Sequence, residues 1–220
     1  MLAETETRTK SVTLVLGGAQ SGKSHYAQQL ALPFERVTFI ATGRRIDAEM
    51  RKKIARHRRE RPVSWRTIEA PMDLHKAIHC ESQQADVVLI DCLTVYVDNV
   101  MGAGKKSKSH PNEHIEAVCD AIRACKASVI VVSNEVGSGI VPEYRSGRIY
   151  RDFLGQMNRN VAEIADTVVL MVAGVPVTIK DSATNQPKSD ARIARREADE
   201  LTAPANGVRK SHFRSKETFK

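Results

Sequence analysis

The sequence predicts an α/β protein with a mainly parallel sheet, closed at its C-terminal side by an antiparallel edge hairpin. Three observations carry that expectation. Short apolar, β-branched runs alternate with helix-period segments across residues 11–180. The first run, 12–16, breaks into Gly17-Gly18-Ala19-Gln20-Ser21-Gly22-Lys23-Ser24 and then into the helix-permissive stretch 25–30. The last two runs, 167–172 and 175–180, are separated by only Ala173-Gly174, and Pro176 suits an edge position.

The first of these junctions is a strand, a glycine-rich loop and a helix start, with the Gly-x4-Gly-Lys-Ser spacing of a P-loop. Gly17 and Gly22 can adopt backbone angles closed to other residues, so successive N–H groups turn inward as an anion nest. The helix that follows aims its positive end at the same spot. Lys23 is placed to reach the β- and γ-phosphates as a catalytic cation, and the Ser24 hydroxyl to sit on Mg²⁺. The plainer reading is a glycine turn with an exposed lysine. The strand before and the helix after favour phosphate, so residues Gly17 to Ser24 are taken as the nucleotide-binding loop of a P-loop NTPase-like fold.

Bulk properties narrow the rest. With 220 residues and 41% hydrophobic content, one domain with a real core is expected over 11–180. A net charge of +8 suits an anionic ligand, while only 5% aromatic residues leave little for base stacking, which argues against nucleic acid. No apolar run approaches the ~20 residues of a membrane span. Residues 1–10 form a short lead that starts acidic and lacks a signal-peptide core. Cys80, Cys92, Cys119 and Cys125 show no metal-site spacing and read as reduced thiols of a cytoplasmic protein.

After the P-loop helix, 37–42 reads as a second buried strand ending at Thr42, Gly43 and Arg44, where a sheet ligand would gather. Asp47 looks like the N-cap of a helix to about Arg59, with Met50, Ile54 and His57 on one face among seven basic neighbours, and Pro62 as its stop. Residues 65–69 form a plausible short strand. Pro71, at a first helical position, opens a helix carrying Leu74 and Ile78. Strand 87–91 ends in Asp91, and Cys92-Leu93-Thr94 turns into a helix with Val97, Val100 and Met101. A polar loop over 102–111 precedes a helix from about Asn112 to Ala124, then strand 129–133. The stretch 134–143 is too ordered in composition for a linker. The cleanest helical period follows at Tyr150, Phe153, Leu154, Met157, Val161, Ile164 and Ala165. From 181 to 220, nine basic residues face six acids with few large apolars, the composition of a disordered basic tail.

Two residues stand out chemically beyond the loop. Asp91, ending an apolar strand, is the expected acid for Mg²⁺ or its water shell; capping the next turn is the alternative. His57, taken alone, reads more naturally as a packed histidine. Set among arginines, however, its imidazole is held neutral and able to attack phosphorus, while the cations stabilise departing pyrophosphate.

The chain also resembles the bifunctional adenosylcobinamide kinase / adenosylcobinamide-phosphate guanylyltransferase family of cobalamin biosynthesis. The match rests on the P-loop; Ile40-Ala41-Thr42; Asp47-Ala48-Glu49-Met50; His57-Arg58-Arg59-Glu60-Arg61-Pro62; Trp65-Arg66-Thr67; Asp91-Cys92-Leu93-Thr94; Ser133-Asn134-Glu135-Val136-Gly137; Val141-Pro142-Glu143; and residues 151–158. The resemblance implies two reactions. Adenosylcobinamide's hydroxyl takes the γ-phosphoryl group of ATP or GTP. A histidine, at the position of His57, then attacks GTP and passes GMP to the phosphorylated corrinoid. The same mapping makes Thr42, Gly43, Arg44, Arg59, Glu60, Arg61, Glu69 and Asp91 guanine-nucleotide contacts, and Glu69 can accept both N1–H and the amino group of guanine. Relatives of this kind imply a homo-oligomer, with a trimer as one form. Gln20 stands where many relatives carry arginine, and Arg56 where some carry a second histidine. Two rivals stay open: a single-activity P-loop small-molecule kinase, and a nucleotide-dependent RNA-binding regulator that uses the basic helix and tail.

Overall fold

A computed structural model describes residues 9–44, 58–59, 61–103 and 111–182. The chain divides into two units at Thr184/Asn185, and every described residue belongs to the first. The expected helix over 47–59 (except 58–59), most of the 102–111 loop, the lead up to residue 8 and the tail from 183 onward lie outside the described residues.

Seven strands form one sheet: β1 (Val12–Gly17), β2 (Val37–Ala41), β3 (Arg66–Glu69), β4 (Val87–Asp91), β5 (Ser128–Val132), β6 (Thr167–Val172) and β7 (Val175–Asp181). Their spatial order is β3-β2-β4-β5-β1-β6-β7, parallel throughout except for the antiparallel β6–β7 hairpin. The glycine-rich loop therefore leaves a strand flanked by β5 and β6, and β5 separates it from β4.

The five described helices are α1 (Lys23–Ala31), α2 (Leu74–Glu81), α3 (Leu93–Ala103), α4 (Pro111–Ala124) and α5 (Arg145–Ile164). Because strand side chains alternate faces, the two sheet surfaces have separate cores. Leu14, Ile40, Ile90, Val129 and Val131 pack with Leu74, Tyr96, Ile122, Leu154 and Met157 of α2 to α5. Val15, Phe39, Leu89, Ile130 and Val132 pack with Ala27 and Ala31 of α1. The four central strands read as apolar runs because both their faces are covered. Fully burying one Leu or Ile contributes about 1.5–3 kcal/mol.

Among the described residues, strand and helix types follow the sequence expectation, with one correction. Helix α2 begins at Leu74, with Asp73 as N-cap, instead of at Pro71. The Pro71 carbonyl is held instead by the Asn99 amide at 3.1 Å, which keeps that residue in the turn leaving β3. Helix α5 begins at Arg145, five residues before the apolar period starts at Tyr150, because its exposed first turn has no core to face. No helix among the described residues is long and apolar enough to cross a membrane.

Candidate active site

The carboxyl ends of the parallel strands converge on one rim, and the glycine-rich loop is its best-defined part. Gly17 has φ 152°, and a Cβ there would lie 2.5 Å from the Met171 carbonyl oxygen and 2.7 Å from Ser21 Oγ. Only glycine fits that approach. Gly22 (φ 90°) caps α1 without any side-chain hydrogen bond, and the first turn of α1 carries no acid. Its leading N–H groups thus face the loop unopposed by an internal anion. Gln20 also takes a left-handed angle, φ 55°, while Gly18, Ala19, Gln20 and Gly22 are exposed.

Lys23 is buried, and its ammonium donates to the Gly18 carbonyl while lying 3.4 Å from Ser21 Oγ. Its charge is folded back over the loop that would receive a phosphate. Neighbouring elements brace the loop from both sides. The Glu135 N–H donates to the Gly17 carbonyl at 3.0 Å, and the Gly174 N–H, at the β6–β7 turn, donates to the Ser21 carbonyl at 3.2 Å. Ser24 follows in the first turn of α1, half-buried.

Further along the rim, Glu69, Ala41, Asp91 and Val132 occupy one register row across β3, β2, β4 and β5. Glu69 and Asp91 therefore share a sheet face two strands apart, roughly 10 Å by strand spacing. Val132 packs in the α1 core, so this row faces α1. Arg61 is buried, with its guanidinium 3.7 Å over the Phe39 ring and Nη1 3.4 Å from Thr67 Oγ1. Burial pushes its pKa below the ordinary arginine value; the Asp91 carboxylate pulls it up, and Arg58 pushes it down. The structure thus brings Arg61 and Asp91 into electrostatic contact, a pairing that the separate sequence motifs did not reveal.

Thr42 is fully buried, and its hydroxyl donates to the Cys92 carbonyl at 2.7 Å and accepts the Cys92 N–H at 2.9 Å. Asn99, buried in α3, donates to the carbonyls of Thr42 (2.8 Å) and Pro71 (3.1 Å). One amide thus ties the ends of β2 and β3, and Thr42 ties β2 to β4. Asn99 escaped the sequence reading; its only signal was an amide among the apolar positions of α3. Gly43 is half-buried, and Arg44, Arg59 and Glu69 are exposed. His57 and Glu60 lie outside the described residues.

The donor set suits Mg²⁺ better than a protein-caged metal. Among the described residues no group of three or more His, Cys, Asp or Glu side chains gathers to hold an ion. A hydroxyl from Ser24 and a carboxylate from Asp91 are hard oxygen ligands of the kind Mg²⁺ shares with substrate phosphates. A cavity of about 470 Å³ opens between β3 and α2, lined by Glu69, Met72, Asp73 and Lys76, and one of about 320 Å³ lies by Lys10 and Asp166. The P-loop borders neither, as expected of an open rim.

Comparison with known proteins places this geometry in a family. The profile described as cobinamide kinase / cobinamide phosphate guanyltransferase matches residues 13–179. The bifunctional adenosylcobalamin biosynthesis protein CobU of Escherichia coli K12 is 39% identical over 178 residues, covering 76% of this chain and 98% of that one. The corresponding protein CobP of Pseudomonas aeruginosa is 36% identical over 168 residues, covering 76% and 96%. Among solved structures, an ATPase from the type III secretion system of pathogenic bacteria aligns with a TM-score of 0.51 at 12% identity. That alignment covers 87% of this chain but 62% of the longer ATPase, and supports the α/β fold alone. With a profile match over 167 consecutive residues and near-complete coverage of both relatives, the chain belongs to the cobinamide kinase / cobinamide phosphate guanyltransferase family.

Proposed function

We propose that the protein phosphorylates adenosylcobinamide with ATP or GTP and then moves GMP from GTP onto the product, giving adenosylcobinamide-GDP. The observation that carries this reading is the braced glycine loop with Lys23 over it, on the same rim as Arg61 and Asp91, in a chain matching the family over 13–179. In the first reaction the acceptor hydroxyl attacks the γ-phosphorus, and the nucleoside diphosphate leaves. Lys23 and the N–H groups at the start of α1 stabilise charge on the transferring oxygens. Ser24 and Asp91 would hold Mg²⁺, which would supply further neutralisation of the phosphate charge.

In the second reaction a His57 ring nitrogen attacks the α-phosphorus of GTP, and pyrophosphate leaves. The acceptor's phosphate oxygen then breaks the P–N bond and returns His57 to its starting state. Arg44, Arg59 and Arg61 hold the nucleotide, Glu60 and Gly43 line it, and Glu69 reads the guanine edge. Thr42 and Asn99 act indirectly, by fixing the ends of β2, β3 and β4 against one another. A homo-oligomer, with a trimer as its candidate form, and a cytoplasmic location belong to the same proposal.

The test is to incubate the protein with Mg²⁺ and α-labelled GTP, denature it, and measure retained label in wild type and His57→Ala. Acid-labile, alkali-stable label that is absent from the variant is the expected outcome. A folded, GTP-binding wild type without label reduces the protein to a kinase, and label surviving in the variant moves the nucleophile elsewhere.

A further inference from the structure

The segment linking β5 to α5 has features that nucleotide binding does not use. Its first residues are pinned. The Asn134 N–H donates to Thr94 Oγ1 at 2.7 Å, the Asn134 carbonyl accepts Asn158 Nδ2 at 2.9 Å, and the Glu135 N–H reaches the Gly17 carbonyl. The Tyr150 hydroxyl donates to the Thr94 carbonyl at 3.2 Å, so α3 and α5 hold this start between them. The Glu135 carboxylate accepts the Gly137 N–H. The far end is pinned too. Arg148 Nη1 donates to the carbonyls of Pro142 and Glu143, and Pro142 sits so close to Gly147 that a Cβ there would approach it to 2.8 Å.

A stretch fixed at both ends should bury its apolar residues, yet this one displays them. Ile140 is 97% exposed, Tyr144 75% and Val141 60%. The β6–β7 hairpin shows a second apolar strip, with Val172, Val175 and Val177 all exposed, and its turn touches Ser21 of the P-loop. Pairing Val172 with Val175 and Leu170 with Val177 puts that strip on the face opposite the Met171 side chain and α1. Exposed apolar side chains on a preordered backbone mark a binding surface, since little ordering entropy is then lost on contact.

We infer that residues 135–149, with the β6–β7 hairpin as its second wall, form the platform on which the acceptor docks: a bulky alcohol with an extensive apolar face. The inference rests on the function proposed above and deepens it by assigning the acceptor a surface. Geometry selects that occupant. The acceptor's hydroxyl must reach the phosphate over Gly17 to Ser24, and both walls are bonded to that loop, through Glu135–Gly17 and Gly174–Ser21. Charge agrees with it as well. The acceptor of the second reaction is a phosphate monoester, and Arg145 and Arg148 stand exposed beside Tyr144.

The experiment compares wild type with Ile140→Ser/Tyr144→Ser, made together at exposed positions where folding has little at stake. Equilibrium dialysis against adenosylcobinamide, without nucleotide, reads docking directly; steady-state kinetics read KM against kcat for the same acceptor. Expected are a loss of affinity and a rise in acceptor KM of at least tenfold, with kcat within about twofold. GTP affinity, read by titration calorimetry, should not change. Unchanged acceptor affinity overturns the inference, whether the variant is otherwise silent or changes only its sedimentation, the latter marking a contact between copies. Acceptor binding that depends on these residues, without any turnover in wild type, would keep the platform and sink the proposed reactions.

Discussion

The Thr42 hydroxyl engages the backbone of Cys92 from both sides, donating to its carbonyl and accepting its N–H. The residue after the metal-binding candidate Asp91 is thereby fastened to the end of the neighbouring strand. Replacing Thr42 with Val keeps the volume and leaves the part-buried Cys92 N–H and carbonyl without that partner. The expected cost is about 1–3 kcal/mol by urea denaturation, with a matching loss of nucleotide affinity. Thr42→Ser should restore most of both.

Gly17 and Gly18 are adjacent glycines with different constraints. Gly17→Ala forces a methyl group against the Met171 carbonyl and should cost about 1–3 kcal/mol of stability. A Cβ at Gly18 meets nothing within 4 Å. Gly18→Ala should therefore unfold at the wild-type temperature and show its effect only in weakened nucleotide binding, where a phosphate approaches the backbone. Thermal melts with and without nucleotide separate the two cases.

The Arg61 guanidinium lies 3.7 Å over the Phe39 ring and within the field of Asp91, an arrangement that a lysine ammonium does not reproduce. Arg61→Lys should keep the fold and weaken GTP binding roughly tenfold, about 1.4 kcal/mol. Titration calorimetry with GTP in wild type and variant is the check, and equal affinities would remove Arg61 from the nucleotide contacts.

Burial raises the phenols of Tyr96 and Tyr150 from 10.0 to about 12. The favoured form is the neutral one, so these groups contribute stability that is fully present below pH 10 and is lost as pH rises towards 12. A phenolate titration in the near ultraviolet should show two late tyrosines, and denaturant midpoints should fall over the same interval. Tyr150→Phe should remove one late step and the bond to the Thr94 carbonyl. Two late steps persisting in that variant would contradict the assignment.

Much of the architecture was legible because local chemistry decides it. The run 87–91 is apolar on both faces and ends in an acid, so its strand and its rim residue were visible together. Gly17 and Gly22 announced a loop whose angles only glycine takes easily. The order of the strands was not visible: nothing in 128–132 says that it inserts between β1 and β4, since partners 117 residues away in β1 and 41 away in β4 leave no local trace. Asn99 was missed for the same reason, its two acceptors lying 57 and 28 residues away. Thr42 was read as a strand-end contact for the nucleotide. That its hydroxyl turns to Cys92 follows from how β2 and β4 align, which composition does not encode. The roles given to His57 and Glu60 came from motif and resemblance, and both residues lie outside those described.

The position of β1 between β5 and β6 has a consequence for biogenesis. Residues 12–17 leave the ribosome early, but their partners are 128–132 and 167–172. The loop's own brace, Gly174, comes later still. A nascent chain shorter than 128 residues therefore carries the entire nucleotide motif without either partner strand, and one shorter than 174 lacks the brace, so closing those distant pairs is the slow part of assembly. Nucleotide can select for the finished protein only after translation of the hairpin, so during synthesis its concentration offers no protection to the emerging N-terminal strand.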